Sequence, residues 1–283
     1  MIIRPLNIIL ILAFQLLTSI AVKASPDTLQ YVIQGARVNG YFYASSSPDA
    51  PTFFFLPGFL DSGDRWDIGH KLSEQGINFF TIDFRGCYFS EGEYSLMNAQ
   101  EDIDEGIKYL TSADIIQKYH LNPDKIILGG YSFGGGMALS YAVHHSQIKK
   151  LIAISSVDLN RFAAELKKDD YQRTMFEAIL ETMCFPDGPT SFQDDHPIDE
   201  LIRHQEYFDV IGSSRELSNR QVLLICGKYD KTVDPFLHTI PLYQNLKEYH
   251  SKAQLKVFAS DHSFAEVQDL LISAIITWIK QLE

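Results

Sequence analysis

The sequence predicts an α/β fold: a mostly parallel, doubly wound sheet carrying an inserted helical cap. Three observations point to it. From residue 52 onward, short apolar runs alternate with helix-forming stretches. Such runs, apolar on both faces, belong to buried parallel strands. The alternation lapses once, between Val157 and Arg220. Finally, the segment from Ile126 to Leu139 passes from an apolar run through Gly130-Tyr131-Ser132-Phe133-Gly134 into a helical stretch, which is a strand, a sharp turn and a helix. A chain of 283 residues, 46% hydrophobic, suffices for one large α/β domain or two small ones. No repeat, biased tract or Pro/Ser linker divides it, so one domain with an insertion is expected.

The elements follow in order. Tyr31 to Ala44 reads as two antiparallel strands around Gly35. Thr52 to Leu56 reads as a buried strand, Trp66 to Gln75 as a helix and Asn78 to Ile82 as a strand. Met97 to Ser112 is helical, with Ala99, Ile103, Ile107 and Leu110 forming an ordinary core stripe. Ile126 to Leu128 is a strand, Gly135 to His144 a helix and Leu151 to Ile154 a strand. Within the insertion, Arg161 to Met183 is helical, Pro186-Asp-Gly-Pro189 is a turn and Ile198 to Val210 is helical again. Its aromatics Phe162, Phe176, Phe185, Tyr207 and Phe208 are candidates either for pocket walls or for packing the cap onto the body. Gln221 to Cys226 is then a strand, Pro235 to Glu248 a helix, Leu255 to Phe258 a strand and Phe264 to Leu282 a last helix.

Residues 1–24 stand apart. Arg4 precedes a mostly apolar stretch from Leu6 to Val22, and Val22-Lys23-Ala24 supplies the small residues of a cleavage site before Ser25. This predicts a signal peptide, a domain of residues 25–283 and export to a periplasm or the medium, with no stable membrane anchor after cleavage. The rival is an uncleaved anchor, since the apolar stretch is near the lower limit for spanning. Residues 1–24 hold two basic and no acidic residues, so cleavage moves the formal charge from −12 to −14. Such a surface disfavours nucleic acid and anionic membranes as partners. Three cysteines leave at least one unpaired within the chain. Cys226, in an apolar strand, reads as a small core residue. A Cys87–Cys184 bridge stays open, because sequence does not place the two together.

The five residues around Ser132 form a weak pattern by themselves, expected by chance in roughly one chain in ten of this length. Context strengthens it. A serine hydroxyl becomes a useful nucleophile only when it is held exposed beside a base and near oxyanion donors. The base needs a carboxylate to orient it and stabilise its charged form. Two later strand ends supply both: Asp230 in Gly227-Lys-Tyr-Asp230 and His262 in Ser260-Asp-His262. Asp234, before Pro235, and Asp261, adjacent to His262, are the competing carboxylates; the first suits a helix cap and the second would have to turn toward its own neighbour. Among the nine histidines, only His262 follows the last predicted strand. The oxyanion donors expected are the backbone amides of Phe133, after the nucleophile, and Phe59, in the Leu56-Pro57-Gly58-Phe59-Leu60 loop.

With these residues in place, the chain from about Phe53 to its end resembles the α/β-hydrolase superfamily. The likeness rests on Pro57-Gly58-Phe59, Asp83-Phe-Arg-Gly86 with Ser90-Glu-Gly92, Gly130-Tyr-Ser-Phe-Gly-Gly135, Gly227-Lys-Tyr-Asp230 and Asp261-His262. The order Ser132, Asp230, His262 is that family's. Tyr88 replaces a glycine of the family's Asp-x-Arg-Gly loop, and Pro57 stands where many members have histidine; Asp83 and Arg85 are read as loop-ordering residues. The elbow and the helix from Asp102 to Leu110 are similar to the prolyl-oligopeptidase and dienelactone-hydrolase-like branch, although no room exists for that branch's propeller between Ala24 and the first buried strand. The resemblance implies an α/β-hydrolase fold and a serine hydrolase of carboxylic esters, needing no metal or organic cofactor, whose partner is a small ester or acyl substrate. Peptide or amide hydrolysis, lipolysis and acyl transfer use the same set. A catalytically silent hydrolase fold that only binds is the rival from another class. Oligomeric state is not legible.

Overall fold

A computed structural model of the chain describes residues 25–59, 61 and 63–282; the signal peptide expected over residues 1–24 lies outside them. Eight strands form one sheet: β1 (Asp27–Ile33), β2 (Ala36–Tyr43), β3 (Thr52–Leu56), β4 (Asn78–Ile82), β5 (Ile126–Tyr131), β6 (Lys150–Ile154), β7 (Gln221–Gly227) and β8 (Gln254–Phe258). Their order is β1-β2-β4-β3-β5-β6-β7-β8. β2 runs antiparallel to β1 and β4, and every pairing from β4 to β8 is parallel.

The continuous apolar runs conceal a period of two. In β3 all five residues are buried. Phe53 and Phe55 pack with Phe79, Ile127 and Ile275 on one face, whereas Phe54 and Leu56 pack with Phe80, Leu128 and Ile103 on the other. The first face is covered by α1 (Ile68–Ser73) and α9 (Gln268–Lys280). The second is covered by α2 (Leu96–Leu110) and α4 (Phe133–His144). Between α2 and α4 a short helix, α3 (Ala113–Tyr119), follows immediately on α2, beyond Ser112 where the sequence reading ended its helix.

Several helices start later or break sooner than periodicity suggests. Trp66 and Asp67 take positive φ, 61° and 58°, so the helix read from Trp66 begins at Ile68. Asp169 ends α5 (Leu159–Lys168) and caps α6 (Asp170–Met183), accepting the amides of Tyr171 and Gln172 at 3.0 Å, so one predicted helix is two. In the second helical stretch of the insertion only Pro197–Arg203 is regular, as α7. α8 runs from Thr239 to Glu248, because Asp234 to His238 form turns.

The insertion is tied to the body in three places. Buried Asp158 accepts the Arg161 amide at its start and the Ile211 amide at its end, both at 2.9 Å. Buried Glu200 in α7 accepts the Leu96 and Met97 amides at 3.1 and 3.3 Å, capping α2 from above. Bridges join Cys87 to Thr190 and Tyr94 to Phe192. The Asp83–Gly92 loop beneath is ordered by Arg85, whose guanidinium bonds Asp102, Glu101 and the Asn98 carbonyl. Asp102 interrupts the apolar stripe of α2 for this reason. Asp83 accepts the Tyr41 hydroxyl at 2.8 Å, and burial pushes its carboxyl up to about 6.

The three cysteines are free thiols. Cys87 and Cys184 pair with opposite sides of Thr190. They therefore lie two strand spacings apart, roughly 9–10 Å, beyond disulfide reach. Cys226 is buried in β7, and desolvation pushes its thiol up to about 11. Among the described residues, no helix is long and apolar enough to cross a membrane.

Candidate active site

Ser132 sits between β5 and α4 with φ 55° and ψ −119°, a conformation that costs on the order of 1–3 kcal/mol and persists only where the surroundings enforce it. They do so here. The Ser132 amide donates to Ile154 O at 2.8 Å, and its carbonyl accepts from Gly136 and Val157 at 3.1 and 3.2 Å. Close packing explains two glycines of the turn. A Cβ on Gly130 would lie 2.5 Å from the Gly134 carbonyl carbon, and one on Gly134 would lie 2.2 Å from Leu56 O and Pro57 O.

The loops after β7 and β8 meet Ser132. His262 Nε2 is 3.0 Å from Ser132 Oγ, and His262 Nδ1 is 2.7 Å from Asp230 Oδ2. The other Asp230 oxygen accepts the Thr232 and Val233 amides at 2.9 and 2.8 Å. Burial raises the Asp230 carboxyl, but the His262 and Val233 hydrogen bonds outweigh it and leave the group below its ordinary value. Asp230 is therefore an ionised, fully engaged acceptor. The two competing carboxylates are occupied elsewhere: Asp234 accepts the Phe236 amide at 2.9 Å, and Asp261 accepts the Ser263 amide and hydroxyl at 2.9 and 2.7 Å.

Phe133 lies in the first turn of α4, where a helix offers its amide no internal acceptor. The Phe59 ring meets the Phe133 ring edge-on at 5.4 Å, so the residues bearing the two expected donors are neighbours beside Ser132.

Two residues that sequence reasoning passed over hold His262 in place. The Tyr131 hydroxyl donates to His262 O at 2.7 Å, and Trp66 Nε1 donates to Ser263 O at 3.0 Å. Their rings are 5.0 Å apart, and Arg65 lies over both. The sequence signal was present at Tyr131, adjacent to the elbow serine; Trp66 had none, being 197 residues away from Ser263.

A cavity of about 280 Å³ opens from Ser132 beneath the cap. Phe162 and Phe176 line it with Phe59, Phe133, Leu180 and Ile198. The other three cap aromatics do not: Phe185 is exposed, Tyr207 stacks on His144 at 3.9 Å, and Phe208 is fully buried. Among the described residues one group, Asp64, Asp67 and His70, brings metal-ligating atoms within 4.8 Å of one another. His70 Nδ1 is 2.8 Å from Asp67 Oδ1, and Asp64 accepts the Gly69 amide at 2.8 Å, so these residues brace the bend before α1.

A family model described as the alpha/beta hydrolase fold matches residues 51–195. The chain belongs to the α/β-hydrolase fold family. The match identifies the superfamily and no branch within it. A proline iminopeptidase of Saccharolobus solfataricus is 33% identical over 85 residues, 30% of this chain and 26% of that protein. The chain thus matches about a quarter of that relative's length. Solved structures with the same fold include a thermostable carboxyl esterase from Bacillus coagulans in complex with glycerol, at TM-score 0.66 and 16% identity over 91% of this chain and 99% of that one. A soluble variant of monoglyceride lipase from Saccharomyces cerevisiae aligns at TM-score 0.64 and 15% identity, over 91% and 96% of the two chains.

Proposed function

We propose that this α/β-hydrolase cleaves carboxylic esters through Ser132, His262 and Asp230. The observation that carries the proposal is the continuous line from Ser132 Oγ to His262 at 3.0 Å and from His262 to Asp230 at 2.7 Å, opening on an apolar cavity. In this reading Ser132 Oγ attacks the acyl carbon as its proton passes to His262 Nε2. The oxyanion forms against the Phe59 and Phe133 amides. His262 then gives the proton to the leaving alcohol oxygen, and the C–O bond breaks to leave an acyl-enzyme. Water, deprotonated by His262, releases the acid. Asp230 fixes the ring and stabilises its charged form throughout. The acyl chain enters the cavity among Phe162, Phe176 and Leu180. A cavity of about 280 Å³ with apolar walls suits a medium-length acyl chain. Export follows in the same reading from the signal-peptide pattern of residues 1–24.

The test is hydrolysis of p-nitrophenyl esters of graded chain length, with Ser132→Ala alongside. Turnover by the wild type with a medium-chain optimum, and a loss of at least about 10³-fold in Ser132→Ala, is the expected result. Undiminished turnover by Ser132→Ala would refute the nucleophile. Cleavage of peptide or amide substrates in preference to esters would replace the ester reading by a peptidase one.

A further inference from the structure

The apolar cavity beneath the cap has one polar corner. Tyr94 and Glu200 both stand in its wall, and both are buried, Tyr94 to 4% exposure. The Tyr94 ring is gripped edge-on by Phe84 at 6.2 Å and by Phe192 at 5.7 Å. Its hydroxyl has no hydrogen-bond partner among the described residues. Burial, and then the neighbouring Cys87, Glu200 and Asp102, hold the phenol well above its ordinary value, so it keeps its proton and remains a donor. Glu200 accepts the Leu96 and Met97 amides, whereas a carboxylate can accept about four hydrogen bonds. Native interiors seldom leave a buried donor without an acceptor, because the desolvated group then gains nothing in return. With aromatic rings fixing Tyr94 on two sides, the cavity is the direction from which an acceptor can come.

We propose that Tyr94 and Glu200 select the acyl group, and that the preferred substrate carries a hydroxyl along its acyl chain, as a hydroxy fatty acid does. The inference rests on the ester-hydrolase reading and deepens it, from a plain alkyl chain to a hydroxylated one. Ser132 ends β5, whereas Tyr94 follows the loop that leaves β4, and β3 alone separates those strands. Two strand spacings are about 9–10 Å, so Tyr94 meets the chain at a distance from the scissile carbonyl. A hydroxyl there accepts from the Tyr94 phenol and donates to Glu200, satisfying both walls at once. A ketone accepts from Tyr94 but offers Glu200 nothing. A terminal carboxylate accepts from Tyr94 and is repelled by Glu200. A methyl end leaves the phenol as it stands, without a partner. The rest of the wall, with Phe162, Phe176, Leu180 and Ile198, holds the hydrocarbon on either side of the hydroxyl.

Four p-nitrophenyl esters of one chain length separate the cases: octanoate, 7-hydroxyoctanoate, 7-oxooctanoate and the monoester of octanedioate. The expected order of kcat/KM is hydroxy, oxo, plain and acid, with the hydroxy ester about tenfold above the plain one. Tyr94→Phe removes the hydroxyl and keeps the ring. It deletes an unpartnered group, so the variant should fold and melt no lower than the wild type. It should cut the hydroxy-to-plain ratio about tenfold and leave octanoate turnover within about twofold of wild type. A merely structural role for Tyr94 would change both esters together. Equal turnover of the hydroxy and plain esters, or a hydroxy preference that survives in Tyr94→Phe, overturns the proposal. Calorimetric binding of 7-hydroxyoctanoic and octanoic acids to Ser132→Ala repeats the comparison without turnover. If folded wild type cleaves none of the four esters, the ester-hydrolase reading fails, and the binding ratio still decides whether Tyr94 recognises a hydroxyl.

Discussion

Alanine at Gly134 perturbs the candidate site without touching a reacting group. Helix propensity alone makes the change favourable, by about 1 kcal/mol, because Gly134 is in α4. Contact geometry predicts the opposite. The new methyl would sit 2.2 Å from Leu56 O and from Pro57 O, and ordinary contact begins near 3.4 Å. Both atoms are main chain and cannot rotate aside, so α4 and the β3 end must part by about 1.2 Å, the difference between those distances. Overpacking of this kind costs about 1–3 kcal/mol, less than the stability of an ordinary domain, so the variant should fold. Its activity should suffer more. Pro57 leads directly into Gly58-Phe59, and Ser132 precedes α4, so the displacement separates the proposed oxyanion donor Phe59 from the proposed nucleophile. A misplacement of about 1 Å is worth on the order of 10²-fold in rate. The assay is kcat/KM on p-nitrophenyl octanoate beside a urea melt, with Gly35→Ala as the control, since Gly35 has positive φ but no atom within 4 Å of an added Cβ. Wild-type turnover in Gly134→Ala, or an equal loss in Gly35→Ala, would refute the reasoning.

Three further outcomes are expected. Buried His238 accepts the Asp158 amide at 3.2 Å, and burial, aided by Arg161, lowers its ring to about 4. The unfolded chain takes up that proton near pH 6.5 and the folded one only near pH 4, so stability falls as pH drops between those values. The loss is about 3 kcal/mol at most, and His238→Asn should flatten this part of the stability–pH curve. Asp158→Ala frees the Arg161 and Ile211 amides at the two ends of the cap; at about 1.5–3 kcal/mol per charged hydrogen bond, amide exchange across residues 159–210 should accelerate at least tenfold, and unchanged exchange would mean the clamp is idle. Phe176→Ala vacates a ring's volume in the cavity and should move the preferred acyl chain to greater length, as read on the graded ester panel.

Much of the sheet was legible because parallel strands buried on both faces must be apolar throughout. Thr52–Leu56 and Asn78–Ile82 match the sequence reading residue for residue. Helix limits were less legible where the chain bends through positive φ, as at Trp66 and Asp67, or where one polar residue caps a new helix, as at Asp169. Local pattern does not register either event. The cap aromatics divide in the same way. Phe162 and Phe176 reach the cavity while Tyr207 stacks on His144 and Phe208 is fully buried, and residue type alone does not separate them.

For the candidate site, sequence supplied the residue types, their order and the strand ends that present them: Ser132 between two glycines, Asp230 after one apolar run and His262 after the next. Those features are local, because a sharp turn and a strand end are set by neighbouring residues. Tertiary structure decided which carboxylate faces His262, since Asp230, Asp234 and Asp261 differ only in where the folded loops aim them. It also decided that Tyr131 and Trp66 hold the histidine loop, and that the serine opens on an apolar cavity beneath the cap. The Tyr131 and Trp66 contacts join segments more than a hundred residues apart, and the Asp230–His262 contact joins two loops 32 residues apart; all exist only once the sheet has brought the strand ends together.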